Sequence, residues 1–257
     1  MRTPIALLGL ASLALLAATQ SEKTFKWKVH DMSRPQPPVV DPGPSGPISG
    51  PPADAIVLFG PTKPTLAAWT GSGGEPKWKV VDGAMVVEPG SGDITTKDAF
   101  GDVQLHVEWM VPPACKCESQ HGCNSGVFLM DRYETQVLNS NGNVTYADGM
   151  AGSIYGQYPP LVNACRPQGQ WNVYDIVFRA PVFGADGKLL HPATETLFFN
   201  GVLVQDNVEL LGETVHGARA SYKAHPATGP IHLQDHGDPI HYRNIWVRKL
   251  PPRAAAE

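Results

Sequence analysis

The chain has 257 residues, with 20 Lys and Arg against 24 Asp and Glu and a net charge of −4 with neutral histidines. This slight acidic excess, carried without any basic block, offers no field to nucleic acid or to an anionic membrane surface, so recognition must come from a local site. Beyond the N-terminal run, no stretch approaches the roughly 20 consecutive apolar residues that a membrane-spanning helix needs.

Met1-Arg-Thr-Pro4 and the apolar run from Ile5 to Ala18 have the charged start and short apolar core of a secretory signal peptide, with cleavage expected near Ala17 or Ala18. Residues 1–18 are therefore read as a signal peptide, and the mature chain is expected to be soluble and either periplasmic or secreted. Residues 19–53 hold eight prolines between Arg34 and Pro52 and no apolar period, which predicts an extended proline-rich linker outside the core. The folded unit is expected over residues 54–250, followed by an Ala/Pro tail at 251–257.

Within that unit the recurring signal is the short strand. Ala55 to Phe59 is the first, and Trp78–Val81 pairs with Met85–Glu88 through the turn dipeptide Asp82-Gly83. Val103 to Val111 alternates through its length: Val103, Leu105, Val107, Trp109 and Val111 take one face, and Gln104, His106, Glu108 and Met110 the other. Asn124 to Leu129 and Tyr133 to Leu138 read as neighbouring strands with a turn at Asp131-Arg132. In the second of these, Glu134 and Gln136 share a face opposite Tyr133, Thr135 and Val137. Val173–Arg179, Thr194–Phe199, a type I′ turn at Asn200-Gly201, Val202–Gln205, Pro230–Gln234 and Ile240–Lys249 complete the set. Many short strands, frequent Gly and Pro and almost no helical period predict an all-β protein, a jelly-roll sandwich of two antiparallel sheets.

Cys115, Cys117 and Cys123 cluster around His121, and Cys165 stands apart. An exported chain favours oxidised pairs over a zinc knot. The least strained arrangement joins Cys115 or Cys117 to Cys123 and the other to Cys165, stapling the loop before Asn124 to the loop before Trp171. The connection from Asn139 to Trp171 is long for a compact domain and rich in Tyr, Asn and Gln, a mixture suited to stacking on sugar rings and bonding their hydroxyls. Leu233-Gln-Asp-His-Gly237 places an amide, a carboxylate and an imidazole where a strand ends.

The chain lacks a nucleophile elbow, a phosphate-cradling loop, a dinucleotide fingerprint and a zinc helix. It also lacks two closely spaced acids on one strand, since the strand at 133–138 offers only Glu134-Thr-Gln136. A paired-carboxylate glycosidase would have to draw its second acid from Glu108, Asp148 or Asp235. No stretch has the spacing of a calcium loop, although scattered aspartates leave a calcium ion conceivable, and no cofactor is predicted.

Asn124-Ser-Gly-Val-Phe, Tyr133-Glu-Thr-Gln-Val-Leu, Gly152-Ser-Ile-Tyr-Gly, Gly169-Gln-Trp-Asn-Val-Tyr-Asp175, Asn200-Gly-Val-Leu-Val, Gly229-Pro-Ile-His-Leu-Gln-Asp-His-Gly237 and Tyr242-Arg-Asn-Ile-Trp-Val occur in an order that resembles the 3-keto-disaccharide hydrolase family, from about Asp54 to Leu250. The chain departs from it at Leu58-Phe-Gly-Pro61, where the family has Leu-Phe-Asp-Gly, and in its cysteine cluster. The resemblance implies a concanavalin A-like jelly roll, an exported enzyme and substrates that are 3-keto-glycosides or oligosaccharides carrying that ketone. It implies removal of the C2 proton, elimination at C1 and hydration, with Glu134 as base or acid and His236 as second proton-transfer group. Asn124, Gln136 and Gln234 would orient the sugar or hold the enolate oxygen, Trp171 and Tyr155 would shape the groove, and Arg243 would either neutralise developing charge or pair with a structural carboxylate. The other reading is a lectin-like module that binds carbohydrate without cleaving it, because one sandwich serves both.

Overall fold

The computed structural model describes residues 25–47, 50–121 and 123–252. The expected signal peptide and the last five residues of the tail lie outside these. In chain order the strands are β1 (Ile56–Phe59), β2 (Trp69–Gly71), β3 (Lys79–Val81), β4 (Ala84–Val86), β5 (Ile94–Phe100) and β6 (Val103–Met110). Then come β7 (Asn124–Leu129), β8 (Tyr133–Leu138), β9 (Asn172–Arg179), β10 (Val182–Phe183), β11 (Leu189–His191), β12 (Thr194–Phe199) and β13 (Val202–Glu209). The last are β14 (Thr214–Val215), β15 (Ala218–Arg219), β16 (Gly229–Leu233) and β17 (His241–Lys249).

Two antiparallel sheets face each other, as a jelly-roll sandwich requires. The larger runs β13-β12-β9-β6-β17-β4-β3 with β1 added on β17, and the smaller runs β2-β5-β16-β7-β8. The alternation of β6 is realised: Val103, Leu105, Val107 and Trp109 are fully buried between the sheets. Trp109 meets Tyr174 edge-on and Tyr174 meets Phe199 likewise, while Tyr133 of the smaller sheet reaches Phe178 of the larger. A polar tie also crosses the core, since Tyr242 donates to Ser125 Oγ at 2.7 Å and Ser125 Oγ donates to the Gln234 carbonyl at 2.6 Å.

The β7–β8 turn lies one residue earlier than expected. Met130 and Asp131 hold the left-handed conformation, at φ 57° and 59°, and Arg132 N–H closes the turn on the Leu129 carbonyl. Asn200 and Gly201 both take positive φ, as a type I′ hairpin demands. The cysteines pair only in part as expected. Cys117 bonds to Cys123, whereas Cys115 and Cys165 are free thiols. Cys165 is buried with its Sγ 3.4 Å from the Arg166 carbonyl, and the two loops meet through Gln168 Nε2 on the Cys115 carbonyl at 2.9 Å instead of a second disulfide.

The proline-rich segment is extended but lies against the domain. Val40 N–H and the Pro38 carbonyl exchange hydrogen bonds with Asn163. Gln36 Nε2 donates to the Thr145 carbonyl at 2.8 Å, and Arg166 Nε donates to the Gly43 carbonyl at 3.0 Å. Residues 25–44 thus form a strap along the long 139–171 connection.

Candidate active site

The outward face of the smaller sheet carries the candidate site. Alternation along β8 turns Glu134 and Gln136 away from the core, and the paired strand β7 turns Asn124, Gly126 and Phe128 to the same side. Gln234, just past β16, adds a third amide. β8 is the sheet edge, and its free backbone groups are taken up by the long connection: Gln136 N–H donates to the Ser153 carbonyl, and Tyr155 N–H to the Glu134 carbonyl. That pairing brings the Tyr155 side chain up as a wall. The β14–β15 hairpin supplies Thr214 and His216, and the loop after β16 supplies His236. Together these residues line a cavity of about 220 Å³. This is below the roughly 300 Å³ at which pockets for drug-sized ligands begin and suits one sugar ring.

Glu134 dominates the electrostatics. It is 5% exposed, and burial alone pushes its carboxyl from an ordinary 4.5 up to about 8. It can sit so deep because position 126 has no side chain: a Cβ there would stand 2.7 Å from Glu134 Oε1 and 2.7 Å from the Phe128 ring. Tyr155 Oη meets Tyr146 Oη at 2.9 Å and His216 Nδ1 at 3.3 Å. Behind them His30, from the strap, stacks on Tyr146 with ring centroids 4.0 Å apart.

The structure gathers six of the eight sequence-predicted residues, namely Asn124, Glu134, Gln136, Tyr155, Gln234 and His236, around one pocket. Trp171 and Arg243 are elsewhere. Arg243 is in register with Glu108 on the larger sheet and points outward from it, because its neighbour Tyr242 is the residue that points into the core. Its Nε donates to Glu108 Oε2 at 2.6 Å, and its guanidinium lies 4.0 Å over the Trp171 ring. The groove-shaping role for Trp171 is therefore corrected, and of the two readings of Arg243 the pairing with a structural carboxylate, Glu108, is the one realised. None of the proposed second acids lines the pocket. Glu108 is held by Arg243 and Asn244, Asp235 caps the backbone N–H groups of Gly92 and Gly237, and Asp148 is fully buried behind Tyr155 and Tyr146.

Phe128, Thr214 and His216 line the pocket without having been singled out from sequence. Alternation along β7 is the available signal for Phe128, whereas the two-residue strands that carry Thr214 and place His216 have too little pattern to offer one. A larger cavity of about 450 Å³ lies between residues 39–44 and the 165–170 loop. It carries no comparable chemistry, because the Arg166 guanidinium there is committed to the carbonyls of Gly43, Pro44 and Trp171 and to Asn200 Oδ1. Among the described residues no three His, Cys, Asp or Glu side chains converge as metal ligands, and no helix is long and apolar enough to cross a membrane.

A jelly roll with one buried carboxyl, three amides and two imidazoles around a pocket the size of a sugar has the build of a carbohydrate-active enzyme of the glycoside hydrolase kind. Residues 54–248 match the 3-keto-alpha-glucoside-1,2-lyase-like domain family, and the chain belongs to it. The 3-keto-disaccharide hydrolase of Bacteroides thetaiotaomicron is 24% identical over 231 residues, spanning 72% of this chain and 76% of its own. A crystal structure of a candidate glycosyl hydrolase from Parabacteroides distasonis is 47% identical, covers 77% of this chain and 84% of its own, and superposes with a TM-score of 0.74. A second from the same organism is 22% identical, covers 76% and 99% respectively, and shares the fold at a TM-score of 0.55.

Proposed function

We propose that this protein is an exported enzyme that cleaves 3-keto-glycosides or 3-keto-disaccharides by elimination and hydration. The observation that carries the reading is the solitary, buried Glu134 carboxyl in a pocket that also holds His236. Two carboxylates flanking the scissile bond would be needed for ordinary glycoside hydrolysis. A ketone at C3 removes that need, because it acidifies the C2 hydrogen and lets one base take it.

At neutral pH Glu134 enters the reaction as the neutral acid, since its proton is held up to about pH 8. The His236 imidazole takes the C2 proton, electrons move into the C3 carbonyl, and the enolate oxygen is held by the Gln234 amide N–H. As the enolate collapses, the C1–O bond breaks and Glu134 gives its proton to the departing aglycone oxygen. The enone left behind then accepts water at C1. Glu134, now a carboxylate, takes the proton of that water, and the imidazolium of His236 returns its proton to C2. Both groups end as they began, and the net reaction is hydrolysis. The amides of Asn124, Gln136 and Gln234 leave hydrogen-bonding partners for the sugar hydroxyls.

Purified protein offered 3-keto-trehalose, 3-keto-lactose and a 3-keto-glucoside should release free sugar. Glu134→Gln and His236→Ala should each lower kcat by about 10²- to 10⁴-fold, the usual weight of a proton-transfer group. Wild-type kcat/KM should fall as pH rises through about 8, when Glu134 loses its proton. An activity that rises through that range would instead make Glu134 the base. Saturable binding of unoxidised glycans without turnover of any ketone would favour the lectin-like alternative.

A further inference from the structure

The loop closed by the Cys117–Cys123 disulfide carries Gln120 at a tight turn, with Glu118 and His121 exchanging both backbone hydrogen bonds. Its neighbour Ser119 is anchored by Asn143, which accepts the Ser119 N–H at 2.8 Å and donates to the Ser119 carbonyl at 2.9 Å. The Gln120 side chain therefore has a fixed origin. Its Nε2 donates to the Gly149 carbonyl at 2.9 Å and to Thr145 Oγ1 at 2.8 Å. A backbone carbonyl can only accept, so this contact settles which end of the Gln120 amide is nitrogen.

The consequence passes into the pocket. Gln120 Oε1 is left facing Gln136 and Asn124, and each must answer with an N–H. Gln136 Nε2 donates to it at 3.0 Å, and Asn124 Nδ2 donates to it at 3.3 Å and to the Gln120 carbonyl at 3.0 Å. Asn124 has then committed both amide hydrogens and has only an acceptor left for a ligand. Gln136 is 1% exposed, and its Oε1 is buried with no partner. A buried amide oxygen left unpaired keeps its desolvation cost uncompensated, so a ligand group that donates to it is selected.

We infer that Gln120 is a positioning residue, held by the disulfide loop, that fixes the Gln136 amide with its oxygen toward the substrate and so makes the pocket select a sugar hydroxyl that donates a hydrogen bond there. This rests on the carbohydrate reading of the pocket. It also separates the floor amides by role, because Asn124 and Gln136 read hydroxyls and Gln234 remains to hold the enolate oxygen.

The orientation can be read without substrate. In ¹⁵N-labelled wild-type protein one Gln136 side-chain amide proton should exchange slowly with solvent, and in Gln120→Leu that protection should vanish. The backbone amides of β8 should keep the protection of the parent in Gln120→Leu, which separates lost orientation of the Gln136 side chain from general loosening. Specificity is read on 3-keto-glycosides in which single hydroxyls are replaced by fluorine, which accepts but cannot donate. At one position wild type should reject the fluorinated analogue by about tenfold or more, the factor carried by 1.4 kcal/mol. In Gln120→Leu, where the Gln136 amide is free to turn, that ratio should shrink toward one.

Unprotected Gln136 protons in wild type, or an unchanged ratio in Gln120→Leu, would overturn the inference. Wild-type protein that turns over none of these ketones would overturn the enzymatic reading alone. The orientation arm would still decide the role of Gln120.

Discussion

Glu134 shows how much of a carboxyl's character is set by what stands next to it. Its identity and its face were readable from the alternation of Tyr133 to Leu138, but its protonation state depends on burial, and its burial depends on a missing side chain across the strand pair. Gly126→Ala would put a methyl 2.7 Å from the Glu134 carboxyl and the Phe128 ring. Overpacking of this kind costs about 1–3 kcal/mol of stability. Because the group that must move is the carboxyl proposed to transfer the proton, the larger effect should fall on kcat, with a loss of tenfold or more in steady-state assays while circular dichroism stays that of the parent.

Among the elements, the strap changes the meaning of the proline-rich segment. A run of prolines without apolar period announces an extended chain and gives no hint of what that chain rests on. His30 reaches the pocket wall from it, stacking on Tyr146 and lying 5.2 Å, centroid to centroid, from both Tyr155 and His216. Its backbone N–H donates to Asp148 Oδ2 at 3.3 Å. An aromatic stack of this kind is worth about 0.5–1.5 kcal/mol. His30→Ala should therefore lower the melting temperature slightly and raise KM for the proposed 3-keto substrate severalfold with less effect on kcat, because it loosens the wall without touching the proposed proton-transfer groups Glu134 and His236. An unchanged KM would show that Tyr155 and His216 hold their places unaided.

β5 makes the complementary point. Ile94-Thr-Thr-Lys-Asp-Ala-Phe100 has too few apolar residues to stand out as a strand, yet it pairs with both β2 and β16. Thr96 Oγ1 accepts the Ile231 N–H at 2.9 Å, and strand pairing on both sides supplies what propensity does not. The β14–β15 hairpin was missed for a similar reason: two two-residue strands carry little pattern of their own, and what holds Thr214 in place is the Glu134 N–H donating to its hydroxyl.

Over the whole molecule, three buried groups set the response to pH. Burial raises the carboxyls of Glu134 and Glu195 from 4.5 to about 8 and about 7. Burial would lower His106, but its hydrogen bonds with the carboxylates of Asp175 and Glu108 outweigh that and raise it from 6.5 to about 9. In each case the folded chain holds a proton that the unfolded chain gives up earlier. The stability tied to that proton is complete below the ordinary value and is lost as pH rises through the raised one. Glu108 and Asp93 are held below their ordinary values and weaken the fold only as pH falls into the acid range. His30 and His241 are lowered by burial and act in the opposite sense near neutrality. The melting temperature should accordingly peak near pH 5 and decline toward pH 9. Glu134→Gln should flatten part of that decline, so a steeper fall in the variant would contradict the assignment.

The all-β class, the long alternating strand at 103–110, the type I′ turn at Asn200-Gly201 and the shared face of Glu134 and Gln136 are legible in the sequence. All of these follow from local rules, side-chain period and turn chemistry, which act over a few residues. Only the tertiary structure decided which residues meet. Trp171 and Arg243 had the right chemistry for a groove but went to the far sheet, because register set Arg243 opposite Glu108. Gln120, His30 and His216 had no local mark, and they reach the site through a disulfide loop, a strap and a short hairpin. Contacts between residues distant in the chain depend on how two sheets stack and which loops close over an edge, and no period in the sequence records that.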